Sequence, residues 1–290
     1  MIYPIGFSIP ECKLVCNIHE KNKLYATIIP GVLRTYIYNN EESYYNDYRN
    51  SVFGKTTKKA GWDCLRHYEI LANGCIPWFD DLEKCPPQTM THFPKGLILD
   101  AMHTLKDIKD ITDLSIPIIN KYSTDLLEYT RNNLTTKAMA KYILNTTGFP
   151  NAKSVLFISN STDPDYQRCL TLHGFKELFG AKCHDSPCIP HLYTNYGDST
   201  KLYGKGISYT CLLDIETTRN AMNDSTLLKD IADHKYDIII YGSIHRGTPY
   251  WDIVNMHYNP NEIILICGED IHNCDMSHLG NKYPLFIREL

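Results

Sequence analysis

Apolar and polar positions alternate in a way that predicts a strand, a loop, a helix and a second strand between residues 51 and 79. Ser51-Val52-Phe53-Gly54 is a short apolar run, and a polar loop from Lys55 to Gly61 follows it. Trp62, Leu65, Tyr68 and Ala72 then fall on one side of a helix, with Cys64 and Leu71 beside them. Asn73-Gly74 ends that helix, because glycine readily takes the positive φ needed just past a last turn. Cys75-Ile76-Pro77-Trp78-Phe79 reads as a buried strand.

Upstream, Cys12–Cys16 is a short apolar run, and Tyr25–Ile29 and Arg34–Tyr38 have the β-branched and aromatic content of strands. A helix is expected to start at Asn40 or Ser43. Downstream, a proline-marked loop (80–94) leads to a strand at Gly96–Leu99, and the pattern is helical from Asp100 to about Asn145. Residues 146–150 break it and divide the chain into 1–148 and 149–290.

Beyond that break, continuous apolar runs alternate with helical segments. The runs are Ser154–Ser159, Ile207–Leu213, Tyr236–Tyr241 and Glu262–Cys267. The helices are Tyr166–Phe179, Ser225–His234 and Trp251–Tyr258, and residues 182–205 read as an irregular segment rich in Cys, His and Pro. Continuous apolar strands separated by helices predict a parallel α/β sheet covered on both faces.

Composition narrows the function. With 290 residues, 43% of them hydrophobic, the chain can bury one large core or two ordinary ones. A net charge of −4 excludes binding to nucleic acid through a broad basic surface. The opening residues lack the basic start and apolar stretch of a secretory signal, and no run is long enough to span a bilayer, so a cytoplasmic setting is expected. The 11 cysteines, without repeated spacing, are expected as reduced thiols, and the sequons at Asn133, Asn145, Asn160 and Asn223 as chance matches.

The helix after residue 61 carries the first candidate chemistry. Its N-terminus attracts anions, and Lys58, Lys59 and Arg66 add full charges there. Glu69, three residues beyond Arg66, reaches the same region and suits the hydroxyls of a ribose. An ordinary amphipathic helix with a solvated face fits the same spacing. Ligands of an open α/β sheet bind beyond the carboxyl ends of its strands. That rule selects the loops 160–165, 242–247 and 268–272, where Asp163, His245 and Asp270 are the candidate bases and Asp163 or Asp165 also suits a helix cap. Cys183, His184, Cys188 and His191, and more weakly Cys12, Cys16 and His19, have zinc-like spacings. Neither group has an evident second ligand pair, so no metal is expected.

Residues 51–79 resemble the nucleotide-sugar motif of exostosin-like glycosyltransferases. In that family a strand and phosphate loop precede an R-x-x-E helix ending in G-C-I-P, here Arg66, Glu69 and Gly74-Cys75-Ile76-Pro77. The resemblance implies two Rossmann-like domains facing a cleft, the GT-B arrangement, with donor half 1–148 and acceptor half 149–290 in swapped order. It implies a UDP-sugar donor, UDP-xylose being one instance, an oligosaccharide or glycoprotein acceptor, and no required cofactor. Lys58, Lys59 and Arg66 would meet the diphosphate and Glu69 the ribose, with Ser51 and Gly61 completing the donor set. Soluble members of this kind occur in large DNA viruses such as the chloroviruses, where they glycosylate capsid protein in the host cytoplasm. Asp163, His245 or Asp270 would deprotonate the acceptor in an inverting reaction; a retaining reaction makes no such demand. The competing readings are a non-catalytic nucleotide- or carbohydrate-binding protein and another nucleotide-using α/β enzyme.

Substituting Glu69→Ala is expected to weaken donor binding by ~1.5–3 kcal/mol, roughly ten- to a hundred-fold, through its lost ribose bonds. Titration calorimetry with the donor checks this, and unchanged affinity in a folded variant would remove Glu69 from the site.

Overall fold

A computed structural model describes residues 1–113, 116–219, 224–272 and 274–290. The sequon residue Asn223, and the part of the expected helical run at 114–115, lie outside them. The fold is mixed α/β with two parallel sheets.

The larger sheet contains β1 (Ile2–Pro4), β5 (Val155–Ile158), β6 (Cys183–Ser186), β7 (Ile238–Tyr241), β8 (Ile263–Cys267) and β9 (Leu285–Ile287), in the order β1-β9-β8-β7-β5-β6. All its pairings are parallel, with Leu156 opposite Ile239 and Ile240 opposite Ile264. Side chains alternate between two buried layers. Val155, Phe157, Ile238, Ile240, Ile264 and Ile266 face one core, whereas Leu156, Ile158, Ile239, Ile263 and Leu265 face another. Helices α5 (Thr136–Thr147) and α6 (Tyr166–Phe179) cover the first layer through Met139, Ile143, Leu170 and Phe175. Helices α8 (Leu227–Ala232) and α9 (Trp251–His257) cover the second through Leu227, Ile231 and Val254. Burial on both faces is why these strands read as continuous apolar runs.

The smaller sheet has the order β2-β3-β4, from Lys23–Tyr25, Ser51–Lys55 and Ile76–Trp78. Helix α1 (Glu41–Arg49) connects its first two strands and α2 (Leu65–Ala72) the last two. Asn40 caps α1 by accepting from the Ser43 amide at 2.8 Å. Helices α3 (Lys95–Leu105) and α4 (Ile116–Asn133) follow, and α7 is the short turn Ile215–Arg219. Val52, Phe53, Tyr68, Leu71 and Ile76 of the smaller unit belong to the same buried cluster as Phe157 and Phe175 of the larger one. Strand β1, which precedes the expected boundary at 148, pairs with β9 in the larger sheet. Among the described residues no helix is long and apolar enough to cross a membrane.

Several expected strands take other forms. Gly96–Leu99 lies in α3, where Ile98, Ala101 and Leu105 are buried at helical spacing; a four-residue apolar run carries no period of its own. Arg34–Tyr38 forms a 3₁₀ turn at Leu33–Thr35 and then irregular chain, with Ile37 exposed. Of Tyr25–Ile29 only Tyr25 belongs to a strand. Ile207–Leu213 is irregular, with positive φ at Ser208 and Cys211; the Ser208 amide bonds the Glu41 carboxylate, and the Cys211 and Leu212 amides bond the carbonyls of His191 and Leu192. Cys183–Ser186, expected to be irregular, is the edge strand of the larger sheet, buried along its length and paired with β5.

Glycine is required at position 174, where α6 crosses the start of α5. A Cβ there would lie 2.6 Å from the Thr136 carbonyl carbon and inside contact distance of its oxygen. Gly174→Ala is therefore expected to lower stability by about 1–3 kcal/mol, although alanine is the better helix former, because backbone must move. Urea unfolding measures this; a stabilised variant would contradict the packing described.

Candidate functional site

The larger sheet reverses its strand order between β5 and β7, since the chain runs out to β6 and returns on the other side. Ligands of such sheets collect beyond the carboxyl ends at this kind of switch point. Here a cleft runs along those ends and under α2. Its central chamber, about 550 Å³, is lined by Phe7, Lys59, Gly61, Asp63, Arg66, Glu69, Tyr166 and Asp270. An inner chamber of about 170 Å³ shares Tyr36, Arg66, Glu69 and Tyr166 and adds Tyr38, Tyr44 and Lys205. An outer chamber of about 390 Å³ shares Tyr166 and Asp270 and adds Asp165, Arg246 and Arg288. The central chamber has the size of a small-ligand site.

Arg66 and Glu69 stand one turn apart on α2 and line both the central and inner chambers. Arg66 stacks on Tyr36, its guanidinium carbon 5.4 Å from the ring centre, and donates to the Tyr36 hydroxyl at 3.2 Å. Its Nε is buried without an acceptor. Glu69 is buried and accepts from the Tyr44 hydroxyl at 2.6 Å and from the Ser208 hydroxyl. Burial pushes its carboxyl up, against the pull of those two hydroxyls and of Arg66. Ser208 reaches across from the larger unit, and the same segment sends Lys205 to the Tyr38 carbonyl and Asn39, both at 2.7 Å.

Helix α2 begins at Leu65 after Cys64, no side chain caps its first turn, and Glu289 holds the segment just ahead of it. The amides of Trp62 and Asp63 are taken, at 3.0 and 2.9 Å, by the Glu289 carboxylate. Gly61 leaves room for Glu289, since a Cβ there would lie 2.7 Å from its carboxyl carbon. Next to Glu289, Arg288 donates to the carbonyls of Asp63 at 2.6 Å and Gly268 at 3.0 Å, and to Asp270. Its guanidinium also lies 4.4 Å from the centre of the Phe7 ring.

The remaining sequence candidates separate. Lys59 lines the central chamber, while Lys58 is exposed and packs over Trp62 at 5.6 Å. Ser51 is wholly buried in β3 and its hydroxyl donates to the Asp47 carbonyl, away from the chambers. Asp270 is exposed to the central and outer chambers and is oriented by Arg288. His245 is half-buried behind Gly268, with an unpartnered Nδ1, and burial holds its imidazole below the usual range. Asp163 is exposed on the rim, and its carbonyl accepts from Arg168. Asp165 is the cap of α6, bonded to the Arg168 amide, the Ser243 hydroxyl and Arg246. Burial pushes that carboxyl up, but these donors and the two guanidiniums outweigh it and the net displacement is downward.

The zinc-like sets do not converge. The His184 nitrogens bond Tyr236 and Asp224, and His191 bonds the Cys169 thiol. Cys12, Cys16 and His19 are exposed.

No family model, curated protein or solved structure matches the chain. The resemblance to exostosin-like enzymes thus rests on the sequence of residues 51–79 alone. Sequence reading missed Tyr36, Tyr44, Tyr166, Ser208, Arg288 and Glu289. Only the last two carried a local signal, standing directly after the apolar run Leu285–Ile287 at a strand's carboxyl end.

Asp63 gives the site a measurable pH signature. It accepts from the Phe7 amide at 2.6 Å and the Tyr68 hydroxyl at 2.9 Å. Burial nonetheless pushes its carboxyl up to about 6, against the pull of Arg288 and these donors. The folded chain then holds this proton more tightly than the unfolded one, whose aspartates titrate near ~3.9. Asp63 should therefore cost stability as pH rises from ~4 to ~6, on the order of 2–3 kcal/mol in all. Urea unfolding across that range should show this loss in the native chain and not in Asp63→Asn, whose amide group can satisfy both partners; parallel curves would refute the assignment.

Proposed function

We propose that this chain is a glycosyltransferase that moves a sugar from a UDP-sugar to a glycan hydroxyl. The carrying observation is Arg66 beside Glu69 in one chamber of nucleotide size, with the Arg66 Nε lacking an acceptor. Among the described residues Arg66 forms no ion pair, which leaves its charge available to an anion. Arg66 and Lys59 take the diphosphate, the leaving group whose growing charge they stabilise. Glu69 takes the ribose, and the rings of Tyr36, Tyr38 and Tyr44 offer stacking surfaces for the base.

Asp270 is the base best supported by position. It opens into the chamber shared with Arg66 and Glu69, from the loop after β8, and its carboxylate is steered by Arg288. The acceptor then enters from the outer chamber, between Arg246 and Tyr166. The two α/β units across this cleft fit a GT-B-like enzyme with its donor half first, of the exostosin-like viral kind that modifies capsid glycans in the host cytoplasm.

Incubation with a panel of radiolabelled UDP-sugars, including UDP-xylose, tests the reading. One donor should bind and be hydrolysed or transferred. Asp270→Asn should keep donor affinity within about threefold and lower turnover by ~10²–10⁴. Arg66→Met should lose roughly ten- to a hundred-fold in donor affinity. Binding without turnover in the native chain would favour the non-catalytic reading, and no binding of any donor would end the transferase reading.

A further inference from the structure

Two thiols and a carboxylate meet behind the loop that carries Asp270. Cys267 ends β8 and Cys274 follows the loop, and both are almost wholly buried. Their sulfurs lie 2.7 Å apart, and the Cys267 thiol points at a Glu269 carboxylate oxygen at 3.8 Å. One ligand atom from each of the three side chains falls within 4.8 Å of the others. Both cysteines are buried and Glu269 is half-buried.

We propose that Cys267, Cys274 and Glu269 bind a thiophilic divalent cation of the zinc class, with water as fourth ligand, as a structural clip under the Asp270 loop. Two thiolates and one carboxylate are the soft and hard donors such an ion accepts, at about 2.3 Å and 2.0–2.2 Å. Tetrahedral binding sets the sulfurs ~3.8 Å apart, so they part by roughly 1 Å, less than a change of cysteine rotamer provides. The clip has a mechanical purpose. Arg288 already ties the loop's first turn through Gly268 and Asp270, and the His272 ring meets the Glu289 carbonyl at 3.2 Å. A cation joining 267 to 274 closes the loop at its base and holds Asp270 toward the chamber.

Cobalt titration of the full reduced chain is the test. One equivalent of Co²⁺ should bind, with an intense near-ultraviolet sulfur-to-metal band and visible bands of a tetrahedral site, and Zn²⁺ should displace it. Cys267→Ser and Cys274→Ser should each abolish the near-ultraviolet band or reduce it at least tenfold. Glu269→Gln should weaken binding about tenfold. A variant with the exposed Cys12, Cys16 and Cys211 replaced by Ser should keep it. Because the buried cysteine variants can misfold, alkylation mapping of the native chain provides an independent reading: Zn²⁺ should shield Cys267 and Cys274 selectively. Absence of cobalt binding, a band that survives both cysteine substitutions, or metal shielding of other cysteines instead would overturn the proposal. So would oxidation of the pair to a disulfide with no metal uptake by its reduced form.

Discussion

A guanidinium cut off from water has to find its hydrogen bonds inside the protein, and Arg288 finds them on three separate segments. It is 1% exposed and bonds the carbonyls of Asp63 and Gly268 and the carboxylates of Asp270 and Glu289. Glu289 in turn satisfies two amides at the entrance of α2. Removing one partner from such a buried set strands the others, typically at ~3–5 kcal/mol. The position of α2 against the larger sheet is thus fixed by these polar bonds together with the buried cluster that Tyr68 and Leu71 share with Phe157. Arg66, Glu69 and Asp270 inherit their mutual placement from this joint.

The joint stops short of the helix end itself. Glu289 takes the amides of Trp62 and Asp63, which precede α2, whereas no side chain caps the first turn after Cys64. Cys64, Leu65 and Arg66 line the central chamber, so the positive end of the helix faces it together with the Arg66 guanidinium. Asp63 and Glu69 are both carboxyls raised by burial, and both are held by donors from other segments, Phe7 and Tyr68 for the first and Tyr44 and Ser208 for the second.

Legibility in the sequence followed the range of the interactions. Segments whose period or caps are local, such as α6 ending at Gly180 and α1 starting after Asn40, could be read directly. So could β5, β7 and β8, because burial on both faces leaves uninterrupted apolar runs. Strands β1 and β9 are three residues each and exist only through pairing with each other and with β8. Strand β6, Cys183-His184-Asp185-Ser186, has the composition of a loop and is a strand because β5 offers it an edge. In the candidate site, Arg66 and Glu69 were legible from a three-residue spacing. Ser208 was not, since it meets Glu69 from 139 positions away on a segment with no regular period.

Pairing β1 with β9 has a kinetic consequence. Tyr3 lies opposite Phe286, so two strands far apart along the chain complete each other's hydrogen bonds. Closing so long a span costs chain entropy that grows only logarithmically with length, but it is met before any contact repays it. One short segment, 285–289, supplies the neighbour of β1, the buried guanidinium and the carboxylate ahead of α2. Sheet edge, arginine joint and α2 are therefore coupled, and loosening one loosens the others.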